Sequence, residues 1–210
     1  MDRVDYSNGI PLKFAAFEQF LKDHPEMAKD VIMIQVGVPT RTDVKEYKKL
    51  VKQINTNVGR IQSNFGNVDS FGPLMYINKS VDMTTLSALY AVADVCMISS
   101  IRDGMNLVSS EFVACQQERS KRGVLILSEF AGASRSLSGS IIVNPFDVEK
   151  SANAIFEALT MEDDEKLMRH NRNFSIVSYH TAERWASDFL SDLRECTNFE
   201  KNFSPKRKKL

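Results

Sequence analysis

The sequence has few cysteines, no excess of charge of either sign and no long apolar run. Its three cysteines lie far apart without a C-x-x-C pair, which favours a reduced, cytoplasmic protein over a disulfide scaffold. Because 27 basic residues balance 27 acidic ones, no overall field attracts nucleic acid. No apolar run approaches the length of a membrane span, and the N-terminus lacks signal-peptide character. The sequence therefore predicts neither a nucleic-acid nor a membrane partner.

The patterns of several enzyme classes are also missing. His24, His170 and His180 form no metal-ligand spacing with the cysteines, so no metal is predicted, and all three are expected at the surface or at helix ends. No Ser-His-Asp or Cys-His set for nucleophilic catalysis is found. What remains is a chain of 210 residues, 43% hydrophobic and 26% charged, with the composition of an ordinary soluble domain.

Apolar runs alternate with segments of helical periodicity along the chain. The predicted strands cover 31–38, 74–77, 93–98, 124–127 and 141–143, and the predicted helices cover 12–21, 47–64, 84–92, 108–118, 152–159, 164–175 and 181–193. This alternation predicts an α/β fold with a Rossmann-like, doubly wound parallel sheet, in which strand 31–38 is central and buried on both faces. Ligands of such sheets bind at the carboxyl ends of the strands, where Arg3, Arg41, Asp103 and Glu129 are expected.

The segment S-S-I-R-D-G-M-N-L-V-S-S-E, residues 99–111, joins a predicted strand to a predicted helix. The first N–H groups of a helix have no intrahelical partner and suit a phosphate or pyrophosphate. Gly104 allows the backbone to approach a ligand closely, and Asp103 and Glu111 suit sugar hydroxyls. The segment therefore indicates a nucleotide-sugar site, although an ordinary strand–helix turn with a solvated R-D-G explains the local pattern equally well.

Seven motifs extend this interpretation over the chain. They are D-R-V-D-Y-S-N-G-I-P (2–11), V-G-V-P-T-R-T-D-V (36–44), V-G-R-I (58–61), I-R-D-G-M-N-L-V-S-S-E (101–111), G-V-L-I-L-S-E-F-A-G-A (123–133), V-N-P-F-D (143–147) and W-A-S-D-F-L (185–190). In this order they resemble the trehalose-6-phosphate synthases, retaining GT-B glycosyltransferases of family 20. The resemblance implies that residues 1–195 are the UDP-glucose-binding, C-terminal half of such an enzyme, followed by a basic tail at 196–210. The family transfers glucose from UDP-glucose to glucose 6-phosphate, and no cofactor is implied.

The resemblance also implies a role for each residue of the donor site. Arg3 would face the donor pyrophosphate, and Asp103 and Gly104 would hold the glucose hydroxyls. Leu107 and Val108 would offer backbone N–H groups to the phosphates. Such a transfer resembles front-side displacement, which needs positioning and charge stabilisation rather than a protein nucleophile. Arg3 and Asp103 are accordingly the predicted catalytic residues.

Other residues acquire expected roles in the same way. Glu111 would accept hydrogen bonds from the ribose, Arg41 would reach the acceptor phosphate, and the main chain of Val81 would contact the uracil. The remaining predicted substrate-binding residues are Asn8, Asn106, Ser109 and Ser110. Glu129 is expected either to contact a ligand or to hold its turn through backbone N–H groups.

Two departures from the family pattern leave the function open. Asn8 stands where the family usually has a lysine on the pyrophosphate, and Ser110 stands where lysine is common. The family's N-terminal domain, which supplies most acceptor contacts, has no counterpart in this sequence. The first strand is therefore expected to be truncated and the isolated chain to be inactive. Three hypotheses follow: the donor half of an enzyme, a non-catalytic regulatory subunit of a trehalose synthase complex, or an unrelated α/β nucleotide binder.

Two further expectations concern the C-terminal part of the chain. The basic cluster at 204–210 is expected to be a frayed terminus, with an import signal or an anion-binding tail as alternatives. Trp185 and Phe189 belong to the last predicted helix, which in the family crosses back towards the other domain. In this chain their face of the helix is expected to be exposed.

Overall fold

The computed structural model describes residues 1–66 and 72–203, and residues 198–203 by their backbone alone. The strands of these ranges are β1 (Asp2–Arg3), β2 (Met33–Val38), β3 (Leu74–Ile77), β4 (Val95–Ile98), β5 (Val124–Ser128) and β6 (Ile141–Val143). The helices are α1 (Ile10–Asp23), α2 (Lys45–Phe65), α3 (Met83–Val92), α4 (Leu107–Cys115), α5 (Val148–Thr160), α6 (Asp163–Tyr179) and α7 (Ala182–Phe203). Among these helices, none is long and apolar enough to cross a membrane. The strands and helices predicted from sequence are confirmed with their ends shifted by a few residues, except that α7 was predicted to end at 193 and continues to Phe203.

The strands form two parallel sheets of three strands each, with the orders β1-β2-β3 and β4-β5-β6. In the first sheet Asp2 pairs with Gly37 and Arg3 with Val38. Because β1 pairs over these two residues only, most of this edge of β2 has no strand beside it. The α/β class and the parallel strands are as predicted, but hydrogen bonding divides the expected single sheet into two halves.

Both faces of the sheets are covered by helices. Along β5, Val124 and Ile126 belong to one buried apolar cluster, and Leu125 and Leu127 belong to a second one. Alternate residues of a strand point to opposite faces, so the two clusters lie on opposite sides of the sheet. This is the doubly wound arrangement. The first cluster also contains the α1 side chains Phe14, Phe17 and Phe20.

Two predictions about burial are wrong. Ile34 in β2 is 44% exposed, and within the described residues no strand pairs with that edge of β2 beyond the two residues of β1. His170 is buried within α6 rather than at the surface, with Nε2 3.0 Å from Oε1 of Gln117 and its ring stacked on Phe174. Burial, together with the nearby Arg122, lowers the pKa of His170 and keeps the ring neutral at neutral pH.

The C-terminal part of the chain is a long helix. The predicted domain boundary at residue 195 falls inside α7, which continues to Phe203. Trp185 and Phe189 stack with their ring centroids 5.5 Å apart and are 70% and 53% exposed, which confirms the expected exposed face. The basic cluster at 204–210 lies outside the described residues.

Candidate functional site

The turn between β4 and α4 is held by two side chains. Asn106 adopts a positive φ of 73° and caps α4, since its side-chain oxygen accepts from the N–H of Ser109 at 2.9 Å. Its amide nitrogen donates to Asp103 Oδ2 at 2.9 Å. The other carboxylate oxygen of Asp103 accepts from the backbone N–H of Met105 at 3.2 Å. Asp103 and Asn106 therefore fix each other's position at the start of the helix.

The start of α4 leaves hydrogen-bond donors free for a ligand. The side chain of Asn106 accepts from the N–H of Ser109. Within residues 1–66 and 72–203, no hydrogen bond uses the N–H groups of Leu107 or Val108. A nine-residue helix carries partial positive charge at this end, which favours an anion. Glu111, four residues after Leu107, lies on the same side of the helix. The helix start thus offers free donors with a carboxylate one turn away.

A second loop, which contains Gly132 and Ala133, is hydrogen-bonded to this turn. Gly132 donates its N–H to the carbonyl of Asp103 at 2.9 Å, and Ala133 donates to the carbonyl of Met105 at 3.1 Å. A Cβ on Gly132 would lie 2.0 Å from the Gly104 carbonyl oxygen, so the two loops approach as closely as a glycine allows. Gly104 itself is exposed, and a Cβ there would have no neighbour within 4 Å. Within the described residues, the fold therefore places no steric requirement for glycine on position 104.

The turn after β1 is joined to the same region. Ile101 donates its N–H to the Ser7 carbonyl at 2.8 Å, and the Ser99 hydroxyl donates to the Asn8 carbonyl at 3.0 Å. Gly9 has a φ of +63°, and a Cβ on it would lie 2.2 Å from the Ser99 carbonyl oxygen. These contacts bring the Asp5–Gly9 turn beside the turn that precedes α4.

Arg3 and Asn8, the residues near the β1 turn that are predicted to bind the donor substrate, differ in their contacts. Arg3 is exposed at the end of β1. Asn8 instead turns its amide back and donates to the Arg3 carbonyl at 2.8 Å. The Asn8 side chain therefore stabilises its own turn.

Arg41 is held by two residues that the sequence analysis missed. Its φ of 46° is positive, its Nη1 lies 3.1 Å from the Tyr47 hydroxyl, and its guanidinium lies over the Tyr47 ring. The Tyr47 hydroxyl donates to Asp5 Oδ2 at 2.8 Å. The N–H of Ser7 and the Tyr47 hydroxyl hold the pKa of Asp5 below its ordinary value. Asp5 stands inside the D-Y-S motif, but no local pattern links it to Tyr47, 42 positions further along the chain.

The other predicted site residues differ in their burial and contacts. Val81 and Val108 both pack against the second apolar cluster, and Ser110 is half-buried on α4. Glu129 is exposed, and in the described part of the chain its carboxylate accepts no hydrogen bond. The alternative in which the Glu129 carboxylate holds its turn is therefore wrong, because the main chain does so, through Val143 and Ser134.

Residues 1–66 and 72–203 contain no group of three or more His, Cys, Asp or Glu side chains that could hold a metal ion. The groups that the site offers are N–H donors, two exposed arginines and carboxylates, at or near the carboxyl ends of parallel strands. Such a set is suited to phosphates and sugar hydroxyls.

Comparisons with known proteins give a consistent result. The model of "Glycosyltransferase family 20" matches residues 1–195. The chain is 52% identical over 194 residues to a probable alpha,alpha-trehalose-phosphate synthase [UDP-forming] of Arabidopsis thaliana, covering 92% of this chain and 23% of that protein.

Two solved structures resemble the fold closely. The first, described as trehalose-6-phosphate from E. coli bound with UDP-2-fluoro glucose, matches with a TM-score of 0.87 at 36% identity, covering 91% of this chain and 42% of the other. The second is a Burkholderia xenovorans alpha,alpha-trehalose-phosphate synthase (UDP-forming) in complex with glucose-6-phosphate. It matches with a TM-score of 0.88 at 37% identity, covering 92% and 42%. The chain thus spans well under half the length of these relatives.

Proposed function

This chain belongs to glycosyltransferase family 20, and we propose that it forms the donor-binding half of a trehalose-6-phosphate synthase. In the proposed reaction glucose passes from UDP-glucose to glucose 6-phosphate, giving trehalose 6-phosphate and UDP. The observation that carries the proposal is the start of α4, where the N–H groups of Leu107 and Val108 have no partner among the described residues and lie beside the fixed carboxylate of Asp103. This combination is suited to a ligand with a phosphate and a sugar side by side.

The chemical step breaks the bond between glucose C1 and the β-phosphate oxygen, while an acceptor hydroxyl bonds to C1 from the same face and passes its proton to the departing phosphate oxygen. Negative charge grows on the departing UDP. In our proposal Arg3 and the N–H groups of Leu107 and Val108 stabilise that charge, which lowers the barrier without a protein nucleophile. Asp103 orients the glucose, because its position is fixed by Asn106 and Met105. Arg3 and Asp103 would be the catalytic residues.

The rest of the ligand would be held by neighbouring groups. We assign the ribose hydroxyls to Glu111, the uracil to the main chain of Val81 and the acceptor phosphate to Arg41. The bond from Arg41 to Tyr47, which in turn donates to Asp5, orients that guanidinium before the acceptor arrives. Ser109 and Asn106 would shape the helix start, and Ser110 would lie at its edge.

The donor assignment predicts saturable binding of UDP to the purified chain, measured by titration calorimetry with GDP as the nucleotide control. Glu111→Gln keeps the shape of the side chain but removes its charge. We expect this variant to bind UDP about tenfold or more weakly, since a hydrogen bond to a charged group contributes about 1.5–3 kcal/mol. Gly104→Ala should leave UDP binding unchanged and weaken UDP-glucose binding about tenfold, because only the donor sugar would meet the added methyl group.

Gly59→Ala is the matched control, since Gly59 lies on α2 and a Cβ there would also have no neighbour within 4 Å. It should leave the affinities for UDP and UDP-glucose unchanged. Absence of UDP binding to a chain that circular dichroism shows to be folded would contradict the donor-site proposal.

A second candidate is a non-catalytic regulatory subunit of a trehalose synthase complex. It is favoured by Asn8, whose amide is engaged with the Arg3 carbonyl and which carries no charge for a pyrophosphate. We expect Asn8→Lys to tighten UDP binding about tenfold to a hundredfold, as a charge-assisted hydrogen bond would. Asn8→Met, which loses the amide without gaining charge, should bind UDP no better than the parent. Equal affinities of the lysine and methionine variants would contradict a pyrophosphate next to residue 8.

The remaining parts of the proposal concern location and partners. We place the protein in the cytoplasm, because Cys96, Cys115 and Cys196 are all free in the described structure. Its substrates would be UDP-glucose and glucose 6-phosphate, without a cofactor, and other subunits of a trehalose synthase complex are the proposed protein partners.

A further inference from the structure

The carboxylate of Asp5 is shared between two segments of the structure. Its Oδ1 accepts from the N–H and from the hydroxyl of Ser7, both at 3.0 Å, and so caps the short helical turn Tyr6–Asn8. Its Oδ2 accepts from the hydroxyl of Tyr47, in the first turn of α2, at 2.8 Å. The backbone N–H of Ser7 and the Tyr47 hydroxyl both lower the pKa of Asp5, so the carboxylate is charged at neutral pH.

The bond through Oδ1 leads to the donor site. Ser7, which Asp5 holds through its N–H, accepts from the N–H of Ile101 at 2.8 Å through its carbonyl. Ile101 belongs to the segment that carries Asp103. The N–H of Asp5 also donates to the carbonyl of Arg3 at 2.8 Å. Asp5 therefore stabilises the turn that connects Arg3 to the segment before α4.

The bond through Oδ2 leads to the predicted acceptor site. The Tyr47 oxygen lies 3.1 Å from Nη1 of Arg41. Because the hydroxyl proton of Tyr47 is donated to Asp5, its oxygen is left to accept from the guanidinium. The Tyr47 ring packs edge-to-face on Tyr6 with the centroids 5.8 Å apart, and the Tyr6 hydroxyl donates to the carbonyl of Glu46 at 2.6 Å. Tyr47 is thus fixed by the same turn that Asp5 caps.

The backbone and side chain of Arg41 are both restrained. Its φ of 46° is unfavourable for a residue with a Cβ, and such conformations persist only where the surroundings impose them. The side chain is exposed, and its guanidinium lies 5.4 Å from the centre of the Tyr47 ring. A freely moving arginine would lose rotamer entropy on binding a phosphate, which lowers affinity. The contacts with Tyr47 restrict the guanidinium before any ligand binds.

We propose that Asp5 is a positioning residue for both substrates, because it fixes the donor turn through Oδ1 and the guanidinium of Arg41 through Oδ2 and Tyr47. This inference rests on the proposed function, which supplies UDP-glucose and glucose 6-phosphate as the two ligands. The negative charge of Asp5 by itself repels a phosphate bound at Arg41. Its hydrogen bonds favour binding instead, so the two effects have opposite signs and can be separated by substitution.

The test measures the affinity of the purified chain for UDP by calorimetry and for glucose 6-phosphate by nuclear magnetic resonance titration. Tyr47→Phe keeps the ring but removes the hydroxyl. It should weaken glucose 6-phosphate binding about tenfold and leave UDP binding unchanged. Asp5→Asn retains a good cap for the turn but no carboxylate for Tyr47. It should weaken glucose 6-phosphate binding about threefold or more, even though it removes a negative charge.

Asp5→Ala removes both bonds, so it should weaken glucose 6-phosphate binding and also UDP binding, the latter about threefold to tenfold. Asp43→Asn is the matched charge control. Asp43 is exposed two positions after Arg41, and its carboxylate accepts no hydrogen bond within residues 1–66 and 72–203. This variant should bind glucose 6-phosphate at least as tightly as the parent, since only a repelling charge is lost.

Tighter binding of glucose 6-phosphate by Asp5→Asn than by the parent, or unchanged binding by Tyr47→Phe, would overturn the proposal. Unchanged UDP binding by Asp5→Ala would overturn the role of Asp5 at the donor turn.

A ligand-free measurement separates this inference from the proposed function. A parent chain that binds neither ligand would contradict the proposed function itself. The order parameter of the Arg41 Nε–H bond, from nitrogen relaxation, should fall in Tyr47→Phe and in Asp5→Asn but not in Asp43→Asn. Equal order in the parent and all three variants would overturn the positioning of Arg41 by Asp5, whether or not the substrates bind.

Discussion

Replacing Lys13 by methionine will destabilise the chain by about 3–5 kcal/mol, because the Asp2 carboxylate then stays buried without its cation. The Lys13 ammonium lies 2.7 Å from Asp2 Oδ2 and 3.1 Å from the side-chain oxygen of Gln35. Gln35 in turn donates to Asp2 at 2.9 Å. All three side chains are buried, so water cannot replace the lost ammonium. Urea unfolding at neutral pH measures the loss as a lower midpoint with an unchanged slope.

The dependence of this loss on pH identifies its cause. Burial raises the pKa of Asp2, but the Lys13 charge and hydrogen bond, the N-terminal amine and Gln35 more than offset it, so the pKa lies below 3.8. The stability that this ion pair contributes is therefore present above pH 3.8 and is lost as the pH falls through the lowered pKa. In Lys13→Met the largest lowering influence, the Lys13 charge, is gone, so burial raises the pKa of Asp2. The deficit relative to the parent should consequently shrink as the pH falls towards about 4.

Two controls accompany the Lys13 variant. The double variant Asp2→Leu, Lys13→Met removes both charges and should be within about 1 kcal/mol of the parent, since an apolar pair can replace a buried ion pair. Arg184→Met breaks the exposed ion pair with Asp188 and should have no measurable effect. A Lys13→Met variant as stable as the parent would show that the Asp2 charge is not held in a buried environment.

Gly9→Ala will destabilise the chain by about 2–5 kcal/mol. A left-handed backbone costs a residue with a Cβ about 1–2 kcal/mol, and the steric overlap adds about 1–3 kcal/mol. Here φ is +63°, and the new methyl group would lie 2.2 Å from the Ser99 carbonyl oxygen. Since that contact joins the Asp5–Gly9 turn to the Ser99–Ile101 segment, we also expect weaker UDP binding. The free energy of unfolding in urea and the calorimetric affinity measure the two effects.

For Gly59→Ala we expect a change in stability opposite to that of Gly9→Ala. Gly59 lies in the interior of α2, and alanine is the better helix former by about 0.8–1 kcal/mol. This variant should therefore be more stable than the parent by up to that amount. A Gly9→Ala variant at least as stable as the parent would contradict the tight contact between Gly9 and Ser99.

Much of the fold could be predicted because its signals are local. The alternation of apolar runs and helical periodicity predicted β2 to β6 and all seven helices, since each element depends mainly on residues close in the chain. The position of the candidate site followed for a similar reason, because the carboxyl ends of parallel strands share one edge. The roles assigned to Arg3, Arg41 and Glu111 remain predictions until binding is measured.

Other features could not be predicted because they depend on contacts between distant residues. The bonds that orient Arg41 pass through Tyr47 to Asp5, and no periodicity encodes such a triplet. The sequence suggested that Gly104 allows the backbone to approach a ligand closely. Only the tertiary structure distinguishes Gly104, where a Cβ would have room among the described residues, from Gly132, where a Cβ would collide with a carbonyl. That the carboxylate of Glu129 accepts no hydrogen bond within residues 1–66 and 72–203 is likewise known only once its neighbours are placed.

The sequence by itself determined the α/β class, the order of the elements and the motif that begins α4. These properties follow from side-chain periodicity and backbone preferences within short segments. The tertiary structure alone decided that the strands form two sheets, that Lys13 and Asp2 are buried as a pair, and that Asn106 positions Asp103. These features depend on which surfaces pack together and which hydrogen-bonding groups lose water, and residues far apart in the chain determine both.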